Sequence, residues 1–409
     1  PFDSYRIAWE RSQLLYLLLY YLALTAPFFF SGLVTGMLLA AHPGHAARLY
    51  AANLLGSAVG GLVPLLVLAR VGEGAVLVFA ALGLLAALLF LLERSPVERA
   101  TAPRLSTLVG QAALLGAAAL LLSLAVFLPA PFRLRLSPYK GLSQVLRFPD
   151  AELTWQQWNA FSRLDRVESS SIRSAPGLSL AYPGRVPRQD GLFVDGDDLS
   201  PVASAEVHQG FWGYLPVALP YRLRDGGRAL ILGPKGGQSV RVALNEGAAS
   251  VVAVESNRLL VEAAGSVYRD DRVVVVSEEG RHYARRGGGT FDVIHLALGD
   301  GYRPVTSGAY SLGERYDLTV EAFEDYMGRL RPDGLLVIER WMQLPPSELL
   351  RAGAIAVEAL RRTGVDEPKA QFAVIRDWQV GLILVKNGAY SKEELVTIRE
   401  FSRARSLDL

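Results

Sequence analysis

The sequence contains no cysteine among its 409 residues. Disulfide bonds, zinc sites held by thiolates and cysteine nucleophiles are therefore excluded. A strong excess of one charge is also missing, because 42 Lys and Arg residues face 40 Asp and Glu residues. A net charge of +2 gives no reason to expect a nucleic-acid partner, and no metal site is predicted.

Charge is missing most clearly from the first third of the chain. The run from Gln13 to Ala41 has no charged residue, and an apolar helix of roughly 20 residues is enough to cross a bilayer core. Similar runs follow it. They predict a transmembrane domain over residues 1–130 with about four helices, at 13–41, 49–69, 74–92 and 108–128. Because the chain begins with Pro1 rather than methionine, we expect residues upstream of it to be missing.

The loops between these runs predict an orientation. Arg and Lys residues in short loops favour the cytoplasmic side of a membrane. Four spans place both ends of the domain on one side, and that side carries slightly more of these residues than the other. They are Arg6, Arg11, Arg70, Arg133, Arg135 and Lys140, against Arg48, Arg94, Arg99 and Arg104. We therefore expect a cytoplasmic C-terminal part.

Residues 131–202 are polar and rich in turn-forming residues, which predicts a small antiparallel β domain. Short β-like runs lie at 163–167, 178–182 and 191–196, and Asp195-Gly196 is a hairpin signal. The following stretch from Glu206 to Leu223 predicts a helix that Pro216 and Pro220 interrupt.

Strands alternate with helices in the third part, residues 203–409. This alternation predicts an α/β Rossmann-like domain with a mostly parallel sheet and ligands at the C-terminal ends of the strands. The predicted strands are 229–232, 251–254, 272–276, 291–298, 335–338 and 380–385. The predicted helices are 238–246, 258–264, 319–330 and 347–363.

A glycine-rich turn follows the first of these strands and contains Gly233, Gly236 and Gly237. Such a turn lets a nucleoside cofactor approach the backbone, and an acid after the next strand can bind ribose hydroxyls. Glu255 has that position, and Glu279 follows the third strand near the expected adenine edge. An ordinary tight turn with solvated loop acids is the alternative interpretation.

Asp300 lies just beyond the fourth strand, where a carboxylate could orient or deprotonate an amine. The loop from Ser307 to Thr319 follows it and could close over the pocket. Its polar side chains, Tyr316 among them, could bind a substrate amine. The alternative is a surface loop that packs by its aromatic residues.

Residues 132–345 resemble the spermidine synthase (polyamine aminopropyltransferase) family, and the whole chain resembles its bacterial branch with an N-terminal transmembrane region. The matching stretches are Ser137–Leu142, Phe193–Gly196, 233–237, Val254-Glu255, Asp271–Val273, Glu279–Arg281, Phe291–Ile294, Tyr316–Phe323, Leu330–Gly334 and Arg340-Trp341. The resemblance implies a small β domain followed by a class I methyltransferase-type Rossmann domain. It also implies decarboxylated S-adenosylmethionine, S-adenosylmethionine or methylthioadenosine as cofactor, and a bacterial inner membrane location.

Two positions depart from the family pattern. The family's turn is glycine-rich throughout, whereas this chain has Lys235 in it. A lysine in the pocket would repel a cationic decarboxylated cofactor, so we expect Lys235 to point to solvent. The first acid of the family's catalytic Asp-x-x-Asp motif is Ala297 here, and Asp300 retains the second. Acids that bind the polyamine are also largely replaced, with His208 as a candidate substitute.

Three hypotheses about function follow. The first is a membrane-bound transferase that moves an aminopropyl or related group to a small amine, with Asp300, Tyr316 and His208 as catalytic residues. The second is a catalytically degenerate relative that serves as a structural subunit of a membrane complex. The third is an S-adenosylmethionine-dependent methyltransferase. The expected partners are the lipid bilayer, a small amine, and either a second copy of the chain or a membrane-complex subunit.

Overall fold

The computed structural model describes residues 3–92, 104–160, 162–203, 210–299 and 316–409. The chain divides into two compact units, Pro1–Phe127 and Leu128–Leu409, and each is described by itself.

The first unit is helical. Its long helices are α1 (Ser12–Ala41), α2 (Ala46–Val71), α3 (Ala75–Leu92) and α4 (Arg104–Phe127). Most of their large apolar side chains are exposed. Phe28 of α1, for example, is 79% exposed. Apolar surface of this extent is unfavourable in water.

Three helical stretches among the described residues are long and apolar enough to cross a membrane. They are Ser12–Ala41, Pro43–Leu92 and Leu108–Phe127. The second has 50 residues, more than twice the length that one crossing needs. It contains α2 and α3, which the turn Gly72–Gly74 joins.

The second unit begins with the short helix α5 (Gly141–Val145) and a sheet of four antiparallel strands. These are β1 (Glu152–Trp158), β2 (Arg163–Glu168), β3 (Gln189–Val194) and β4 (Asp197–Ala203), in that spatial order. The predicted hairpin is confirmed, since Asp195 and Gly196 join β3 to β4 with φ angles of 53° and 72°.

Two predictions in this region are wrong. The run 178–182 forms turns instead of a strand. The stretch before the large sheet is not one helix: within its described residues, only Leu219–Leu223 (α6) is α-helical. Proline accounts for this, because Pro216 begins one short helical turn and Pro220 lies in the first turn of the next, and neither proline can continue a helix that comes before it.

The large sheet has seven strands in the order β10-β11-β9-β8-β5-β6-β7. Strands β5 to β8 are parallel to their neighbours. Strand β9 is parallel to β8 but antiparallel to β11, and β11 is antiparallel to β10. The strands are β5 (Arg228–Leu232), β6 (Ser250–Val254), β7 (Val273–Val276), β8 (Phe291–Leu296), β9 (Leu330–Trp341), β10 (Phe372–Arg376) and β11 (Val380–Lys386). A mixed sheet with this parallel centre is consistent with a Rossmann-like, methyltransferase-type fold.

Helices cover this sheet, and its central strands form two apolar cores with them, one on each face. The helices are α7 (Gln238–Asn245), α8 (Arg258–Ala264), α9 (Gly280–Arg286), α10 (Val320–Met327), α11 (Ser347–Arg362) and α12 (Lys392–Ala404). Burial on both faces explains why the central strands read as continuous apolar runs rather than as alternating patterns.

Gly237 ends the glycine-rich turn and caps α7 with a φ of 86°. A Cβ there would lie 2.5 Å from Val267 Cγ1. We expect Gly237→Ala to destabilise the fold by about 2–5 kcal/mol, because backbone strain adds to overpacking. Gly233→Ala is the matched control: its φ is 66°, but nothing lies within 4 Å of its Cβ position. Thermal unfolding without ligand should show the larger loss for Gly237→Ala, and equal losses would contradict the packing argument.

Candidate functional site

A cavity of about 190 Å³ opens at the C-terminal ends of β5, β6 and β8. The order β8-β5-β6 brings together the residues that follow these strands, although they lie far apart in the sequence. The lining includes Gly233, Glu255, Glu279, Ala297 and Arg340. Parallel sheets bind ligands at this edge, so the predicted location of the site agrees with an actual cavity.

Glu255 is the acid most firmly held in this cavity. Its side chain is only 5% exposed. Oε1 accepts a hydrogen bond of 3.0 Å from the backbone N–H of Asn257, and Oε2 accepts one of 3.2 Å from that of Lys235. Burial raises the pKa of the Glu255 carboxyl, while these backbone hydrogen bonds oppose the rise. The two hydrogen bonds thus fix the carboxylate in the wall of the cavity.

The glycine-rich turn closes one wall of the cavity. The N–H of Gly233 donates to the carbonyl of Val254 (2.9 Å), which ties the turn to the end of β6. The N–H of Gly236 donates to Ser200 Oγ (2.9 Å) on β4, so the small sheet also holds the turn. At Gly236 a Cβ would lie 2.7 Å from the carbonyl oxygen of Pro201. The turn therefore tolerates no side chain at this position.

Lys235 does not point to solvent, so that prediction is wrong. Its Nζ donates a 2.9 Å hydrogen bond to the carbonyl of Gly299, beyond β8. Tyr268 fixes the same residue from the other side, because its hydroxyl donates to the Lys235 carbonyl (2.6 Å). Lys235 has a φ of 48°, which is uncommon for a residue with a side chain. The Lys235 side chain extends from the end of β5 to the residues beyond β8, and its ammonium group lies within the site.

A second, smaller cavity of about 50 Å³ adjoins the first. It lies between β4 of the small sheet and the edge of the large sheet, and Asp198 and Glu339 contribute carboxylates to its lining. Three residues line both cavities: Lys235, Ala297 and Gly299. These three residues therefore form the boundary that the two cavities share.

Behind the smaller cavity is a buried polar network. His295 is fully buried on β8, and its Nδ1 lies 3.0 Å from the hydroxyl of Tyr221. Its Nε2 lies 3.5 Å from Glu339 Oε2 on β9. Burial raises the pKa of the Tyr221 hydroxyl well above its usual value, so Tyr221 stays protonated and can donate to Nδ1. In that arrangement the His295 N–H faces Glu339.

The other predicted residues have different outcomes. Glu279 lines the cavity, but its Oε2 accepts the N–H of His282 (2.8 Å) and thereby caps α9. Tyr316 is 63% exposed, and its carbonyl accepts from Arg281 Nη1 (3.2 Å). Its neighbour Asp317 lines the cavity instead. Asp300 and His208 lie outside the described residues, as does most of the predicted lid from Ser307 to Thr319.

Sequence reasoning missed Glu339 and His295. A usable signal exists for Glu339, because it follows the apolar run 335–338 in the same way that Glu255 follows Val251–Val254. His295 stands alone within an apolar strand and gives no comparable signal. Within the described residues, no group of three or more His, Asp or Glu side chains could hold a metal ion.

No protein-family model and no curated protein matches the chain. Among solved structures, the chain is similar to spermidine synthase from Thermotoga maritima, with 16% identity and a TM-score of 0.39 over 59% of this chain and 75% of that one. A probable spermidine synthase from Corynebacterium glutamicum has 17% identity and a TM-score of 0.41 over 63% and 87%. A putative SAM-dependent methyltransferase from Streptococcus mutans has 13% identity and a TM-score of 0.33 over 48% and 52%. These values are too low to carry a function to this chain.

Proposed function

We propose that the unit Leu128–Leu409 is a transferase that binds an S-adenosyl nucleoside in the larger cavity and moves a group from its sulfonium sulfur to an amine. The buried carboxylate of Glu255 carries this proposal. It follows a parallel strand, faces a cavity at the strand ends, and is held by two backbone N–H groups. An ionised acceptor fixed in this way suits the two hydroxyls of a ribose.

Lys235 supports one of the possible donors over the others. S-adenosylmethionine carries a carboxylate beside its amine, whereas the decarboxylated form carries the amine and sulfonium charges alone. The Lys235 side chain lines the larger cavity, and its ammonium group donates to the neutral carbonyl of Gly299. That ammonium can therefore pair with a donor carboxylate, and it repels a donor that lacks one. The donor we propose is S-adenosylmethionine rather than its decarboxylated form.

The membrane part of the proposal rests on the first unit. Its apolar helices have the length and exposed apolar surface that a bilayer requires. The slight excess of Arg and Lys on one side favours a cytoplasmic location for the C-terminal unit in a bacterial inner membrane.

Calorimetry on the full chain in detergent tests the nucleoside site. We expect S-adenosylmethionine and methylthioadenosine to bind, and decarboxylated S-adenosylmethionine to bind about 10-fold more weakly than S-adenosylmethionine, because one ion pair is lost and one repulsion gained. Binding of none of the three would contradict the proposal. The degenerate, structural subunit would then be the better account of Ala297 and Lys235.

A further inference from the structure

Ala297 has no carboxylate, but the neighbouring strand β9 has one beside it, that of Glu339. Strands β8 and β9 are parallel, and their register pairs His295 with Val337 and Leu296 with Ile338. The next step along both strands brings Ala297 and Glu339 alongside each other. Strand β9 thus places a carboxylate at the level of the sheet where β8 has Ala297.

Contacts around Glu339 hold this carboxylate in one place. The residue is 5% exposed, and its Oε2 accepts a 3.1 Å hydrogen bond from the backbone N–H of Leu298. His295 Nε2 lies 3.5 Å from the same oxygen. Both contacts involve Oε2, and the Glu339 residue lines the smaller cavity.

The smaller cavity suits an acceptor group by position and chemistry. It shares Lys235, Ala297 and Gly299 with the larger cavity, so a molecule in one is next to a molecule in the other. Ala297 lines both cavities and extends no further than its Cβ. Buried carboxylates need a partner, and an amine that enters this cavity can supply one.

We propose that Glu339 binds the acceptor amine and removes its proton, replacing the acid missing at Ala297. This inference rests on the proposed function, since it needs a sulfonium donor in the larger cavity. One proton passes from the acceptor ammonium to the Glu339 carboxylate. The freed nitrogen lone pair forms a bond to a carbon on the sulfonium sulfur, and the bond from that carbon to sulfur breaks. The bonding pair stays on sulfur, giving a neutral thioether nucleoside, and the alkylated nitrogen carries the positive charge.

Four forms of the full chain in detergent test this inference: wild type, Glu339→Gln, Glu400→Gln, and the double variant Ala297→Asp/Glu339→Gln. Glu400 is an exposed glutamate on α12 and serves as the control. Calorimetry with S-adenosylmethionine measures donor binding, and thermal unfolding checks the fold. Chromatography of the thioether nucleoside measures transfer to 1,3-diaminopropane, 1,4-diaminobutane and spermidine.

We expect Glu339→Gln to lower the transfer rate by about 100-fold or more, since loss of a general base typically has that size. Donor affinity and the melting temperature should stay at wild-type values, as should every property of Glu400→Gln. The double variant should transfer at least about 10-fold faster than Glu339→Gln, because it restores a carboxylate on the adjacent strand.

Other outcomes separate the inference from the proposed function. Undiminished transfer by Glu339→Gln overturns the inference and leaves the proposed function intact. A parallel loss of donor binding and melting temperature in that variant also overturns it, by showing a structural role. Donor binding by the wild type without transfer to any of the three amines leaves Glu339 with no acceptor and overturns it too. No donor binding by the wild type removes the proposed function, and the inference with it.

Discussion

Glu255→Ala is expected to weaken binding of S-adenosylmethionine by about 100-fold or more in calorimetry. The carboxylate would accept hydrogen bonds from both ribose hydroxyls, and hydrogen bonds to a charged group contribute about 1.5–3 kcal/mol each. Two of them account for a loss of this size or larger. Because the residue is 5% exposed, water cannot replace the lost acceptor well.

Two variants control this experiment. Glu255→Gln keeps the shape of the side chain but loses the charge, so we expect an intermediate loss of affinity. Glu279→Ala removes a second acid from the same cavity, but one that is exposed and caps α9. We expect it to change affinity by less than about 10-fold while lowering the melting temperature slightly, as loss of a helix cap does. Equal effects of Glu255→Ala and Glu279→Ala would show that the ribose assignment is wrong.

Binding should also depend on pH through Glu255. Ribose binding requires the ionised carboxylate, and burial raises the pKa of this group above its usual value. The affinity for nucleoside should therefore be fully present above the raised pKa and fall as the pH drops through it. For an exposed glutamate the same loss would begin only near its ordinary pKa of about 4.3.

Lys235→Met should reverse the preference between donors. The variant keeps an apolar stem of similar length but removes the ammonium group that lies within the site. We expect the affinity for S-adenosylmethionine to fall and that for its decarboxylated form to rise. Together these changes alter the ratio of the two dissociation constants by about 10- to 100-fold, because one charge pair and one repulsion are removed together.

Lys235→Arg is the matched control for this substitution, since it retains the charge and should retain the preference for S-adenosylmethionine. The affinity for methylthioadenosine, which has neither the amine nor the carboxylate, should change little in both variants. An unchanged donor ratio in Lys235→Met would show that the lysine only supports the turn through Gly299. Selection of the donor would then lie with other residues.

The large sheet could be predicted from the sequence because its central strands are buried on both faces and read as apolar runs. Strands β1 and β10 were missed for the opposite reason. Residues of β1 are mostly exposed, with a polar Glu-Leu-Thr-Trp-Gln-Gln-Trp sequence, and β10 is a short edge strand. Helix α12 was also missed, although Ser391 and Glu394 form a capping box that marks its start.

One local pattern in the sequence, a glycine turn after one strand and an acid after the next, is enough to place Glu255 at a cavity. The direction of Lys235 could not be predicted in this way. Its ammonium reaches Gly299, which follows a strand distant in the sequence, and that contact exists only because β8 lies beside β5. The proximity of Glu339 to Ala297 depends likewise on the register between two strands.

Strand β11 lies in the sheet between β9 and β10, although it follows both of them in the sequence. Until Val380–Lys386 has left the ribosome, β9 has an unpaired edge, and unpaired edges recruit strands from other chains. Glu339 lies on that same strand. A chain cut short ahead of β11 would therefore expose the edge of the strand that carries Glu339, and we expect it to be prone to aggregate.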